Sequence, residues 1–136
     1  MKLQYAAGID IGTQGTKAAL FSLDGRKVSE TFERSRLIYG GPGEVCQNAG
    51  DIYGSVLRTV SGLMKKANVP PEQVAAIGID GQMAGIMAVD SDFEAVGLYD
   101  SWLDTRCEPY INKMKDKAGD CLLYTSPSPR DRTRSR

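Results

Sequence analysis

Apolar positions early in the chain fall in short runs with strand spacing. Gln4 to Ile11 is apolar and ends at Gly12-Thr13, as a central strand would. Thr16 to Leu23 is again apolar and β-compatible. Asp24-Gly25 then signals a two-residue hairpin, whose type I′ geometry needs positive φ at both positions. Arg26 to Phe32 alternates, with Val28 and Phe32 among polar residues, in the manner of an edge strand. Three antiparallel strands are therefore predicted at the start. Arg34 to Gln47 is polar, and Gly40-Gly41-Pro42-Gly43 predicts irregular structure. After Asn48, read as an N-cap, Ile52, Val56, Leu57, Val60, Leu63 and Met64 recur at helical spacing as far as about Ala67. Lys65-Lys66 suits the negative end of that helix, and Asn68 and Pro70-Pro71 stop it. Val74 to Asp80 predicts a second buried strand, Gly81 to Gly85 a loop and Ile86 to Val89 a third apolar strand. Val96 to Trp102 reads as another strand and Arg106 to Lys117 as a partly amphipathic helix. Strands first, then a helix, then strands and a helix again, describe an α/β fold with a mixed sheet.

Composition narrows the class. The 136 residues suit one domain, and 41% hydrophobic with 25% charged residues is globular usage. No apolar run is long enough to span a bilayer, and no signal-peptide pattern opens the chain, so neither a membrane nor secretion is expected. Lys plus Arg equals Asp plus Glu at 17 each, which argues against a nucleic-acid partner. The sequence has no His, which removes imidazole acid–base chemistry, His metal sites and the Ser-His-Asp constellation. Cys46 and Cys107 lack metal-ligand spacing and read as reduced packing residues of a cytoplasmic protein.

The charge balance is uneven. Residues 121–136 hold four arginines and one acid, Asp131, which leaves 1–120 mildly acidic. By composition this end is a disordered basic tail or partner contact. Cys121 to Asp131 also resembles, residue for residue, the translation of a transposase-type sequencing-library adapter. The expectation is therefore a lobe over 1–120, a fragment cut near Asp120, followed by an adapter-derived, disordered 121–136.

Three segments can carry chemistry. Gly8-Ile-Asp-Ile-Gly-Thr-Gln-Gly-Thr-Lys17 is neither a Walker A loop nor GxGxxG. Its turn can present backbone N–H groups as an anion nest, with Thr13, Thr16 and Lys17 as further donors. Asp10, at the strand end, can hold Mg2+ against phosphate oxygens. A tight hairpin with one surface carboxylate explains the same residues equally well. Gly78-Ile-Asp-Gly-Gln-Met-Ala-Gly85 runs from a strand into a polar loop. Taken alone it fits an ordinary β-turn better than a ligand loop, although strand-end loops are where ligands sit in α/β sheets. Asp100-Ser-Trp-Leu-Asp-Thr-Arg106 combines one aromatic face with carboxylates, as a sugar site does. Trp102 as core and Asp104 as an N-cap is the structural alternative.

Together, in this order, the segments GIDIGTQGTKAALFSLDG, GIDGQMAG and SWLDTR resemble the FGGY family of carbohydrate kinases, over Tyr5 to about Glu108, and its xylulokinase-like branch in particular. The resemblance implies an α/β, ribonuclease H-like (actin/hexokinase-like) N-terminal lobe, incomplete here, whose mixed sheet opens with three antiparallel strands. It implies transfer of the γ-phosphoryl of MgATP to a hydroxyl of xylulose or a related ketose or polyol, with ATP and Mg2+ as cofactors. Gly12, Thr13, Gln14, Gly15, Thr16 and Lys17 then match the ATP-phosphate hairpin and Asp10 the metal-side carboxylate. Gln82, Met83, Ala84, Trp102 and Asp104 match the sugar side. The family's general base, an Asp, and its adenosine site belong to later sequence, so the fragment alone is expected to be inactive. Homodimerisation of the intact parent stays open. Three departures stand out: Ala84 where xylulokinases carry His, Cys46 where relatives often have Glu, and Ile52-Tyr53 in place of paired tryptophans. An actin-like ATPase or sugar-responsive regulator using the same hairpin is the alternative, against which the GQM loop and WLDTR argue.

Overall fold

The computed structural model describes residues 3–118. The chain divides into two compact units, Met1–Asp104 and Thr105–Arg136. In the first, chain order is β1 (Tyr5–Ile11), β2 (Gly15–Ser22), β3 (Lys27–Arg34), β4 (Ile38–Tyr39), β5 (Val45–Gln47), α1 (Ala49–Ala67), a 3-10 turn (Pro71–Gln73), β6 (Val74–Gly81) and β7 (Tyr99–Asp100). The described part of the second unit contains α2 (Glu108–Ala118). Among the described residues no helix is long and apolar enough to cross a membrane. The expected boundary at 120/121 and the tail beyond it lie outside the described residues.

Strands β1, β2 and β3 form the expected antiparallel meander, and β6 joins β1 in parallel, giving the order β3-β2-β1-β6. Side chains alternate across a strand, so Ala7, Ile9, Ala18 and Leu20 share one face, and Leu63 of α1 completes the buried cluster there. The packing line of α1 is Ser55, Thr59 and Leu63, one row at i, i+4 spacing. Leu57, expected on the apolar face, is exposed, and the small Ser55 and Thr59 face the sheet instead. They are satisfied there: Thr59 Oγ1 donates to the Ser55 carbonyl (2.5 Å) and Thr31 Oγ1 to the Thr59 carbonyl (2.8 Å). The caps follow local rules. Asn48 Oδ1 accepts the Asp51 N–H, and Asn68 ends the helix in left-handed backbone, its N–H bonded to the Lys65 carbonyl.

Five expectations about elements are corrected. The hairpin at Asp24-Gly25, between β2 and β3, is not type I′: Gly25 N–H closes on the Ser22 carbonyl and Gly25 has positive φ, but Asp24 does not. One left-handed glycine after a tight turn makes a longer, bulged connection. Residues 34–47, expected to be irregular, contain β4 and β5, which pair with each other, and β5 pairs with β7 to give a small sheet of order β4-β5-β7. Ile86 to Val89 is no strand. It makes isolated bridges to Asp100 and Ala95, because a local turn folds the segment back while Asp90 Oδ1 accepts from the N–H groups of Asp92 and Glu94. Val96 to Trp102 shortens to β7, preceded by Gly97 at φ +137. Finally, β6 forms as expected but is exposed, since α1 lies over β2 and β3 and stops short of it.

Candidate active site

The open face of the main sheet carries the expected metal-side carboxylate. Residues alternating with the buried Ala7 and Ile9 are Gly8 and Asp10, and on β2 the corresponding position is Lys17. Asp10 pairs in register with Lys17 on β2 and with Asp80 on β6, so both carboxylates lie at one end of the sheet. Gly8, Asp10, Lys17, Ala19, Gly78 and Asp80 line one shallow depression. Hard oxygen donors from two adjacent strands are the chemistry a Mg2+ ion takes. Lys17 Nζ lies 3.5 Å from Glu30, which also receives Lys27 at 2.9 Å. The Lys27 hydrogen bond, then the charges of Lys17 and Lys27, hold the Glu30 carboxyl below its usual value.

The same alternation turns Thr16 the other way. Its side chain is 1% exposed, and its hydroxyl meets Ser55 Oγ of α1 at 2.6 Å. Thr16 was expected among the phosphate donors; one residue from Lys17 in a pleated strand, it faces the helix instead. The hairpin tip is built by backbone bonds: Gly12 N–H to the Gly15 carbonyl (3.0 Å), and Ser35 N–H to the Gln14 carbonyl (3.0 Å). The Gly12 N–H is thereby committed, leaving Thr13 and Gln14 to present N–H groups at the tip. At Gly15, a Cβ would overlap the Glu33 carbonyl and the Phe32 ring, so glycine there serves the close approach of β3.

Two of the residues expected on the sugar side, Gln82 and Trp102, meet at this tip. Gln82 N–H donates to the Ile11 carbonyl (2.9 Å), extending the β1–β6 ladder and placing the loop beside the hairpin. Trp102 Nε1–H donates to Thr13 Oγ1 (2.7 Å), Thr13 Oγ1 to Gln82 Oε1 (3.2 Å), and Gln82 Nε2 to Gln47 Oε1 (2.6 Å). Gln47, 2% exposed in β5, was missed by the sequence reading, since nothing local marks it. Met83 is exposed, Ala84 sits at φ +65, and Gly85 packs so close to the Tyr99 phenol that a Cβ would overlap it. Burial raises the Tyr99 phenol above its usual pKa.

Asp104, expected at the sugar side, spends Oδ2 on the Val45 N–H (2.9 Å). Beside it, the Cys46 thiol donates to Asp100 Oδ1 (3.2 Å), its register partner across the β5–β7 rung. Ligand atoms of Cys46, Asp100 and Asp104 lie within 4.8 Å of one another. These bonds tie the small sheet together, which is reason enough for the cluster.

The pattern describing the "FGGY family of carbohydrate kinases, N-terminal domain" matches residues 5–126. The chain is 32% identical over 121 residues to a xylulose kinase of Bacillus subtilis (strain 168), covering 89% of this chain and 24% of the relative. It is 38% identical over 122 residues to a glycerol kinase of Geobacillus kaustophilus (strain HTA426), covering 88% of this chain and 24% of that relative. It superimposes on a gluconate kinase from Lactobacillus acidophilus with a TM-score of 0.82 at 24% identity, over 90% of this chain and 24% of the other. The chain thus spans 24% of the length of each of these relatives. A sheet opening with an antiparallel meander, closed by a parallel strand and carrying this hairpin beside this loop, belongs with those matches: the chain is a member of the FGGY family of carbohydrate kinases, with the actin/hexokinase-like α/β fold of its N-terminal domain.

Proposed function

We propose that the protein is an ATP-dependent carbohydrate kinase that transfers the γ-phosphoryl group of MgATP to a hydroxyl of a ketose or polyol, with xylulose the first acceptor to test. The observation that carries this reading is the meeting at Thr13 of three segments far apart in sequence: the hairpin, Gln82 of the loop, and Trp102. On the phosphate side, the tip N–H groups of Thr13 and Gln14 and the Lys17 ammonium attract the anion, and Gly12 and Gly15 shape the turn. Asp10, with Asp80 beside it, holds Mg2+, which when bound neutralises charge on the phosphates. On the acceptor side, the half-exposed Trp102 ring offers a face to sugar C–H groups and the Gln82 amide offers hydrogen bonds, while Asp104, bonded to the Val45 N–H, holds the small sheet in place. Met83 and Ala84 form the adjoining wall. Relatives named for xylulose and for glycerol support a polyhydroxy acceptor as a class.

The test is turnover of a panel of ketoses and polyols by the full-length protein, by Asp10→Ala and by Ala84→His. Asp10→Ala is expected to keep the fold and lower kcat by about 10²–10³, the scale of losing one group that stabilises transition-state charge. Near-normal activity in that variant removes the phosphate-side assignment. Ala84→His is expected to shift preference toward xylulose while leaving ATP use unchanged, and an unchanged profile removes the acceptor-side assignment. ATP hydrolysis with every acceptor left unphosphorylated favours the ATPase alternative.

A further inference from the structure

The hydrogen bonds through Thr13 run in one direction only. An indole N–H can donate and never accept, so Thr13 Oγ1 is the acceptor of the 2.7 Å contact with Trp102. A threonine hydroxyl has a single proton, and here it points to Gln82 Oε1 at 3.2 Å. With its oxygen so placed, Gln82 turns Nε2 to Gln47, whose oxygen receives it at 2.6 Å. With the Gln82 amide in that orientation each donor of the chain meets an acceptor, and the chain ends on a buried side chain of β5. Thr13 engaged in this way has no proton for a phosphate.

We propose that Gln47, Gln82, Thr13 and Trp102 form a one-way relay in which the Thr13 proton switches between Gln82 and an anion on the hairpin, so that phosphate-side and polyol-side binding reinforce each other. The proposal rests on the kinase reading above and adds a mechanism of coupling to it. An anion drawn to the Thr13 and Gln14 N–H groups competes for the Thr13 hydroxyl proton. Once the anion takes it, Gln82 Oε1 has lost its donor, and a part-buried acceptor without a partner is unfavourable. A polyol hydroxyl supplies the missing donor. Each ligand therefore binds more tightly when the other is present, by the same factor in both directions. Gln47 touches neither ligand; as a positioning residue it holds the Gln82 amide in the orientation that presents oxygen to Thr13.

Trp102 is the one tryptophan in the 136-residue sequence, so its indole N–H gives a single, assignable resonance. The experiment titrates the full chain with inorganic pyrophosphate and with glycerol, each alone and in the presence of the other, following that resonance and the affinities. Pyrophosphate is expected to move the indole signal and to tighten glycerol binding by about three- to tenfold, the worth of one net hydrogen bond. Thr13→Val and Gln47→Leu are expected to reduce that factor to about one, whereas Thr13→Ser and Gln47→Glu, which keep the hydroxyl and the acceptor, retain it. Should the apolar variants fail to fold, as their amide spectra will show, loss of coupling in folded Thr13→Ser or Gln47→Glu overturns the relay. Both probes binding without coupling, or full coupling in Thr13→Val or Gln47→Leu, overturns the relay and leaves the kinase reading standing. Failure of both probes to bind overturns the two together.

Discussion

At φ +65, Ala84 occupies left-handed backbone, where a Cβ costs roughly 1–2 kcal/mol. Strain of this kind persists where surrounding bonds impose it, and here it sits in the loop that adjoins Gln82. Ala84→Gly relieves it but adds about 0.4–1 kcal/mol of unfolded-chain entropy, so the expected net gain is about 0.5 kcal/mol. A melting temperature about 2–4 °C higher than wild type is the outcome to look for in thermal unfolding, and a fall would mean the loop needs that Cβ. Glu33 offers a pH test. Arg58 Nε and Nη2 both reach its carboxylate, the latter at 2.6 Å, and hold it below its ordinary value of 4.5. A depressed carboxyl stabilises the fold above the unfolded value and loses that contribution as pH falls through the folded one. Wild type is expected to lose this contribution as pH falls through and below the ordinary glutamate range, with Glu33→Gln flatter there. The difference is small because the pair is exposed.

Among the elements, β2 and β6 present opposite situations within one sheet. Strand β2 is paired on both sides, and its inner face is covered by α1. Strand β6 is paired with β1 alone among the described residues, and Ile77 and Ile79 stand 59% and 68% exposed. Amide exchange is expected to be slowest in β2 and to alternate along β6, slow where N–H groups face β1 and fast where they face outward. Uniform protection along β6 would show that its outer edge is paired, as an apolar edge strand invites. The length of α1 and its two ends were legible because caps and 3.6-residue spacing are local rules. Strands β4 and β5 were not, since two or three residues are too few to show a period, and β7, the second partner of β5, lies more than fifty residues on.

For the whole molecule, the expectation is that the 136-residue chain by itself turns over no acceptor. In the proposed function the hairpin and the depression supply binding and charge, while the reaction also needs a general base on the acceptor hydroxyl and a site for adenosine, and the chain spans 24% of the length of the relatives it matches. A coupled assay for ADP release, run with the chain and glycerol or xylulose, checks this; release above buffer would mean the chain holds its own base. The sequence by itself determined what depends on neighbours along the chain: the meander, the long capped helix, the glycine hairpin and the residue types that a sugar and a phosphate need. It even contained the orientation of Thr16, because a period of two puts Thr16 and Lys17 on opposite faces. Only the tertiary structure decided which of those residues meet. Gln47 became part of the site because β5 brings it to a glutamine 35 positions away, and β6 stayed exposed because α1 covers other strands. Local pattern is set by sterics and hydrogen-bond geometry within a few residues, whereas burial and side-chain partnership are properties of what packs alongside.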